Sequence, residues 1–180
     1  MPLSYDFDGE LRLSQSESSN GRIEEILMNH IPGALRAFPA HQFNDWRHGV
    51  DWWVELESGR FMGIDCKIRK EDYARKGEDD LALETWSVVE KRIPGWTRVS
   101  SKKTEYVLWL WLETGRWTLV PLPMLCSVFQ SYWQSWRKQY KTRTQKTTRN
   151  GEFAYHSECV FVPRSVVWSA IAHRYAGKPE

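Results

Sequence analysis

The sequence predicts an α/β (α+β) domain in which a mixed central β-sheet is flanked by helices. Three observations lead there. Apolar residues recur at helical spacing in three segments, several strand-length segments alternate or run apolar, and Gly- or Pro-bearing turns separate the two kinds. The chain has 180 residues, 41% hydrophobic and 27% charged, which suits one ordinary core and leaves little room for two domains.

The elements follow in chain order. Residues 1–20 form a polar arm, ending in the cap-rich run Ser14–Asn20. A single domain then spans residues 21–176. Its first helix runs from Gly21 to about His30, with Ile23, Ile26, Leu27 and Ile31 on one face. Glu24 flanks that stripe, where its carboxylate can reach an interior site, and Glu25 points nearly opposite. Pro32-Gly33 ends the helix, and an irregular stretch follows. Asp51–Leu56, the turn Glu57-Ser58-Gly59-Arg60 and Phe61–Arg69 read as a hairpin. In its second strand Gly63, Asp65, Lys67 and Arg69 share one face, and Met62, Ile64, Cys66 and Ile68 share the other.

Residues 71–80 form a charged loop or short helix. Leu81–Val89 and the nearly all-apolar Thr104–Leu112 are further strands, and Arg116–Val120 follows the turn at Gly115. A helix fits Pro123 to Tyr140, with Leu125, Val128, Phe129, Tyr132, Trp136 and Tyr140 in a stripe that suits a core. Arg137–Arg149 carries six bases and no acid, the composition of a phosphate-binding segment or of a solvated helix end. Phe153–Val162 is the last strand and Arg164–Tyr175 the last helix.

Charge and composition narrow the function classes. Residues 1–90 carry 18 acidic and 10 basic side chains, and residues 91–180 carry 5 acidic and 15 basic. One half concentrates metal or acid–base ligands, and the other can face a polyanion. The longest apolar run, Tyr106–Leu112, is too short to span a bilayer, so no membrane partner is expected. The start of the chain is acidic, unlike a secretory or mitochondrial signal. Cys66, Cys126 and Cys159 form no CxxC pair, which suits a reducing cytosol. No phosphate-binding GxxxxGK[ST] loop, dinucleotide GxGxxG turn or GxSxG elbow is present, and the histidines at 30, 41, 48, 156 and 173 lack zinc-caging spacing.

Asp51 on one hairpin strand and Asp65-Cys66-Lys67 on the next remain. Two carboxylates on adjacent strands can converge on a hard divalent cation, to which the Cys66 backbone carbonyl can add an oxygen. Lys67 shares a face with Asp65, where it can orient or deprotonate a water or stabilise phosphate charge. That is the equipment of metal-assisted phosphodiester hydrolysis.

Asp51, thirteen intervening residues and then Asp65-x-Lys67, on a hairpin after an acidic helix, resemble the PD-(D/E)xK nuclease superfamily. The layout is most similar to the small archaeal-type Holliday junction resolvases and related phage nucleases, and the resemblance implies a restriction-endonuclease-like core. The resemblance covers residues 22–69, about a quarter of the chain. It implies that Asp51 and Asp65 are the acidic metal ligands, Lys67 the motif lysine and Glu24 the helical glutamate that some members add. Two positions depart from the pattern. Val50 stands where many members have proline, and the strand-like Leu81–Val89 stands where a helix usually follows the lysine strand. If the sheet is elaborated there, Glu84 is a third carboxylate to consider.

The resemblance implies a DNA endonuclease dependent on Mg²⁺ or Mn²⁺, selective for branched or duplex DNA and compatible with a homodimer. Arg69, Lys70, Lys102 and Lys103 would grip phosphates, together with Arg137, Lys138, Lys141, Arg143, Lys146 and Arg149. The alternative is a catalytically inactive nuclease-fold protein that binds nucleic acid or a protein partner. Eleven tryptophans point towards that alternative if they group on the surface.

Overall fold

The computed structural model describes residues 17–40, 49–99, 103–149 and 152–176. Helix α1 is Glu17–His30 and begins four residues inside the expected arm; residues 1–16 lie outside the described residues. Its stripe of Ile23, Ile26, Leu27 and Ile31 is buried as the spacing predicts. Strands β1 (Ala34–Pro39), β2 (Trp52–Leu56) and β3 (Phe61–Arg69) follow. β1 falls where the sequence suggested irregular chain. Within residues 71–80 only Tyr73–Lys76 is helical, as one 3-10 turn. Then come β4 (Asp80–Val88), β5 (Ile93–Pro94), β6 (Thr104–Trp111) and β7 (Trp117–Pro121). Helix α2 (Leu122–Gln139), strands β8 (Thr142–Arg149) and β9 (Glu152–Pro163) and helix α3 (Arg164–Tyr175) complete the chain.

The protein is a mixed α+β structure with two sheets, and its described residues fall into two compact units. One draws on residues 17–40, 49–72 and 103–122, the other on residues 73–99, 123–149 and 152–176. The first unit holds the mixed sheet, in the order β1-β2-β3-β6-β7. β3 pairs antiparallel with β2 and parallel with β6. A parallel neighbour requires a crossover connection, and residues 70–103 provide it by way of the second unit. α1 covers one sheet face, where Ile23, Ile26, Leu27 and Ile31 join Trp52, Val54, Ile64, Ile68, Leu108 and Leu110 in one core. Val107, Trp109, Trp111 and Val120 point to the other face and are buried as well, which explains the continuous apolar run of β6.

Gly63 marks a close approach in β3. A Cβ there would lie 2.9 Å from the Lys103 carbonyl oxygen and from a Val50 methyl. The β3–β6 register shifts just after this point, so the pairing of β3 with β6 begins where only glycine fits.

The second unit is built on an antiparallel sheet, ordered β5-β4-β9-β8, with helices α2 and α3. Leu81, Leu83, Val160, Val162, Val128, Phe129, Val167 and Ile171 are buried in it. Of the predicted α2 stripe, Leu125, Val128, Phe129 and Trp136 are buried, whereas Tyr132 is exposed and stacks on Trp136 at 5.5 Å between ring centroids. Among the described residues no helix is long and apolar enough to cross a membrane.

Candidate active site

The last residue pair between β2 and β3 is Trp52 opposite Ile64. Asp51, just before β2, donates its backbone N–H to the Ile64 carbonyl at 2.9 Å. β3 continues past this point, and the Cys66 N–H donates to Asp51 Oδ2 at 2.6 Å. The Asp51 carboxylate thus serves the strand amide that β2 no longer reaches, which fixes its orientation beside β3.

One residue back along β3, the Asp65 carboxylate is 4% exposed and accepts a hydrogen bond from Lys67 Nζ at 2.6 Å. The two residues share a strand face because side chains alternate. Val107 and Trp109 stand opposite them in register on β6, so the pair sits against an apolar strand. The Lys67 side chain keeps 27% of its surface.

The electrostatics follow from this placement. Burial alone would lower the Lys67 pKa, but Asp65 and then Asp51 outweigh it and hold the ammonium above the ordinary lysine range. Burial, Asp51 and Asp65 push the Cys66 thiol well up against the opposing effect of Lys67, so it is a neutral thiol and no nucleophile. Its side chain packs against the α1 core, as the strand alternation predicts.

The structure brings Asp51, Asp65 and Lys67 together, but not Glu24. Glu24 is exposed on α1, and α1 packs on the Ile64–Ile68 face of the sheet, opposite the face that carries Asp65 and Lys67. Among the described residues no group of three or more His, Cys, Asp or Glu side chains gathers as a metal cage would. Glu84 is also engaged elsewhere, within the second unit. Its carboxylate accepts from Ser87 Oγ at 2.7 Å and from the Trp96 N–H at 3.0 Å, so it braces a loop.

The expected phosphate ligands divide. Lys70, Lys103, Lys138, Lys141 and Arg143 are exposed, and Arg69 and Lys146 are half-buried. Lys141 lies 3.5 Å from Glu78. Arg137 is committed internally, because its guanidinium donates twice to the buried Glu158, at 2.8 and 2.9 Å. That pair removes Arg137 from the phosphate-binding set. Lys102 and the side chain of Arg149 lie outside the described residues. None of the ten tryptophans among the described residues is exposed.

One neighbour of the site escaped the sequence reading. Glu105 of β6 pairs with Arg60 at 2.5 Å and accepts the Gly63 N–H at 3.3 Å, tying the start of β6 to β3. The polar residue interrupting the apolar run after Thr104 was its available signal.

Asp51 and Asp65 supply oxygen donors from two adjacent backbone segments, the chemistry that a hard divalent cation prefers. Mg²⁺ is commonly held by one or two carboxylates with water and substrate phosphate, so a third protein ligand is not required. Set against protein-family models, curated proteins and solved structures, the chain matches none.

Proposed function

We propose that the protein is a Mg²⁺-dependent DNA endonuclease of the PD-(D/E)xK type. One observation carries this reading: Asp51, Asp65 and Lys67, scattered over 17 residues of sequence, meet at the end of the β2–β3 pairing. Asp51 and Asp65 would hold the metal. When bound, it polarises a phosphoryl oxygen and acidifies water.

The protein's own groups do the rest. The Cys66 N–H keeps Asp51 turned towards β3. Asp65 tethers the Lys67 ammonium, which places a fixed positive charge where a phosphate oxygen or an attacking water would sit. Arg69, Lys70 and Lys103, in the same unit as the site, would hold the DNA backbone, a contact that positions without reading sequence.

Labelled four-way junction, duplex and single-stranded DNA, incubated with Mg²⁺ or with EDTA, test this function and assign the substrate class. Cleavage confined to the Mg²⁺ samples supports it. Cleavage that persists in EDTA contradicts it.

A further inference from the structure

The sheet face that carries Asp65 and Lys67 continues beyond them as a strip of aromatic rings, all within one unit. Strand pairing sets Phe61 of β3 opposite Glu55 of β2, and Glu55 opposite Arg36 of β1. Next along the sheet, Gly63 stands opposite Trp53, and Trp53 opposite Phe38. Paired residues share a face and side chains alternate along a strand. Arg36, Phe38, Trp53, Glu55 and Phe61 therefore lie on the Asp65 side of the sheet. Ala37, Trp52 and Val54, which alternate with them, are buried on the α1 side. Asp51 is within about 7 Å of Trp53 along the chain, and Phe61 lies about 13 Å along β3 from Asp65.

The rings are accessible. Phe61 keeps 48% of its surface, and Phe38 and Trp53 are half-buried. Phe38 meets Phe61 edge-on, with centroids 6.3 Å apart and planes at 78°. The Arg36 guanidinium lies 5.3 Å from the Phe38 centroid. The strip carries no net charge, because Arg36 pairs with Glu55 and the adjoining Arg60 with Glu105. Cations flank the acidic pair instead. The exposed Lys103 has its carbonyl oxygen beside Gly63, and Arg69 follows Lys67 on the same face of β3.

This division suits a single strand of nucleic acid, whose backbone calls for cations and whose bases call for open π-surfaces. Bases inside a duplex stack on one another and do not offer their faces. An apolar peptide segment would bury the Arg36–Glu55 pair that crosses the strip, at a desolvation cost. A base stacks on a ring and leaves its polar edge to solvent.

We propose that Phe61, with Phe38 and Trp53, forms a stacking platform for unpaired bases beside the Asp51–Asp65–Lys67 site. The substrate class is then DNA with a single-stranded segment next to the scissile bond, as at a flap or branch point. The choice of DNA and of cleavage rests on the nuclease reading; the platform rests on strand register and exposed rings.

The test is fluorescence anisotropy of the full chain in EDTA, over a salt series, on a labelled single-stranded oligonucleotide and on blunt duplex of the same sequence. The wild type is compared with Phe61→Leu and Phe61→Trp, with folding checked by circular dichroism. Leucine keeps the apolar contact and removes the π-face. The Kd of Phe61→Leu for the single strand should rise at least about fivefold, the lower end of base–aromatic stacking. Its salt slope should not change, because no phosphate contact is lost. Phe61→Trp should bind at least as tightly as the wild type, and duplex affinity should agree within about twofold in all three. No single-strand binding by the wild type, an unchanged Kd in Phe61→Leu, or an equal loss on duplex would overturn the proposal. If leucine disrupts folding, Phe61→Thr, a strand former without a ring, decides. Phe61-dependent single-strand binding without cleavage in Mg²⁺ sinks the nuclease reading alone. Mg²⁺-dependent cleavage at equal rates on flapped and blunt duplex, with Phe61-independent binding, sinks the platform alone.

Discussion

Lys67 Nζ lies 2.6 Å from Asp65 Oδ1, two positions away on the same strand, while Asp51 reaches the amide between them from the neighbouring segment. The arrangement sets two carboxylates and one ammonium in a partly buried place, where the carboxylates offer the oxygen donors that a divalent cation prefers. A ligand that binds only the folded state stabilises it by mass action. Mg²⁺ or Mn²⁺ should therefore raise the Tm of the wild type. Asp65→Asn should lose most of that increase, as measured by thermal shift with and without metal. An equal rise in the variant would place the cation elsewhere.

Arg137 should prove structural. Its guanidinium spans both oxygens of Glu158, whose side chain is 7% exposed. Removing one partner of a buried pair leaves an uncompensated charge and costs about 3–5 kcal/mol. The Arg137 side chain is itself half exposed, which puts Arg137→Ala near the lower end of that range in urea denaturation. A loss below about 0.5 kcal/mol, typical of a surface substitution, would contradict the assignment.

The same pair shapes the response to acid. Burial raises the Glu158 pKa, but hydrogen bonds from Arg137 and Thr85 and the Arg137 charge lower it further, so it ends below the ordinary value of 4.5. A depressed carboxylate contributes stability that is present above its unfolded pKa and lost as pH falls through the folded one. Wild-type stability should exceed that of Glu158→Gln at pH 6, and the difference should shrink below about pH 4.5. Denaturation curves for both proteins from pH 6 to pH 3 check this. A gap constant across that range would mean that the charge of Glu158 contributes nothing.

Gly95 sits where the chain passes Glu84, and a Cβ there would lie 2.1 Å from the Glu84 carbonyl oxygen. Backbone, not a flexible side chain, is in the way. Gly95→Ala should therefore destabilise the second unit by at least the 1–3 kcal/mol typical of overpacking. Gly21→Ala, where nothing lies within 4 Å of the added carbon, should do no harm. Thermal unfolding of the two variants separates the cases; equal Tm values would argue against the close approach.

How far the sequence carried these conclusions differed by element. The two faces of β3 were legible because residues 62–68 alternate sharply between apolar and polar side chains, and alternation is local information. β1 was not, because Leu35 is exposed and the small Ala37 is buried, so hydrophobicity does not mark its faces and pairing with β2 defines it. β8 was obscured by its charge; its threonines and the following Asn150-Gly151 signalled a hairpin that its six-base neighbourhood concealed. Glu24 lay correctly beside the buried stripe of α1, but a helical wheel does not say which face of a sheet the helix will cover. The engagement of Arg137 with Glu158 spans 21 residues of sequence, a distance at which no local pattern reports pairing. Asp51, Asp65 and Lys67 were legible because adjacent strands convert a fixed spacing into proximity.

The central claim is that these three residues form a metal-dependent hydrolytic site. Single-turnover cleavage of labelled DNA in Mg²⁺, for the wild type, Asp65→Ala and Lys67→Ala, tests it most directly, with duplex affinity measured in parallel in EDTA. Both variants should lose cleavage by at least about 100-fold, the scale of removing one charge-stabilising group, while their DNA affinity stays within about twofold of wild type. Wild-type cleavage rates in either variant would contradict the account.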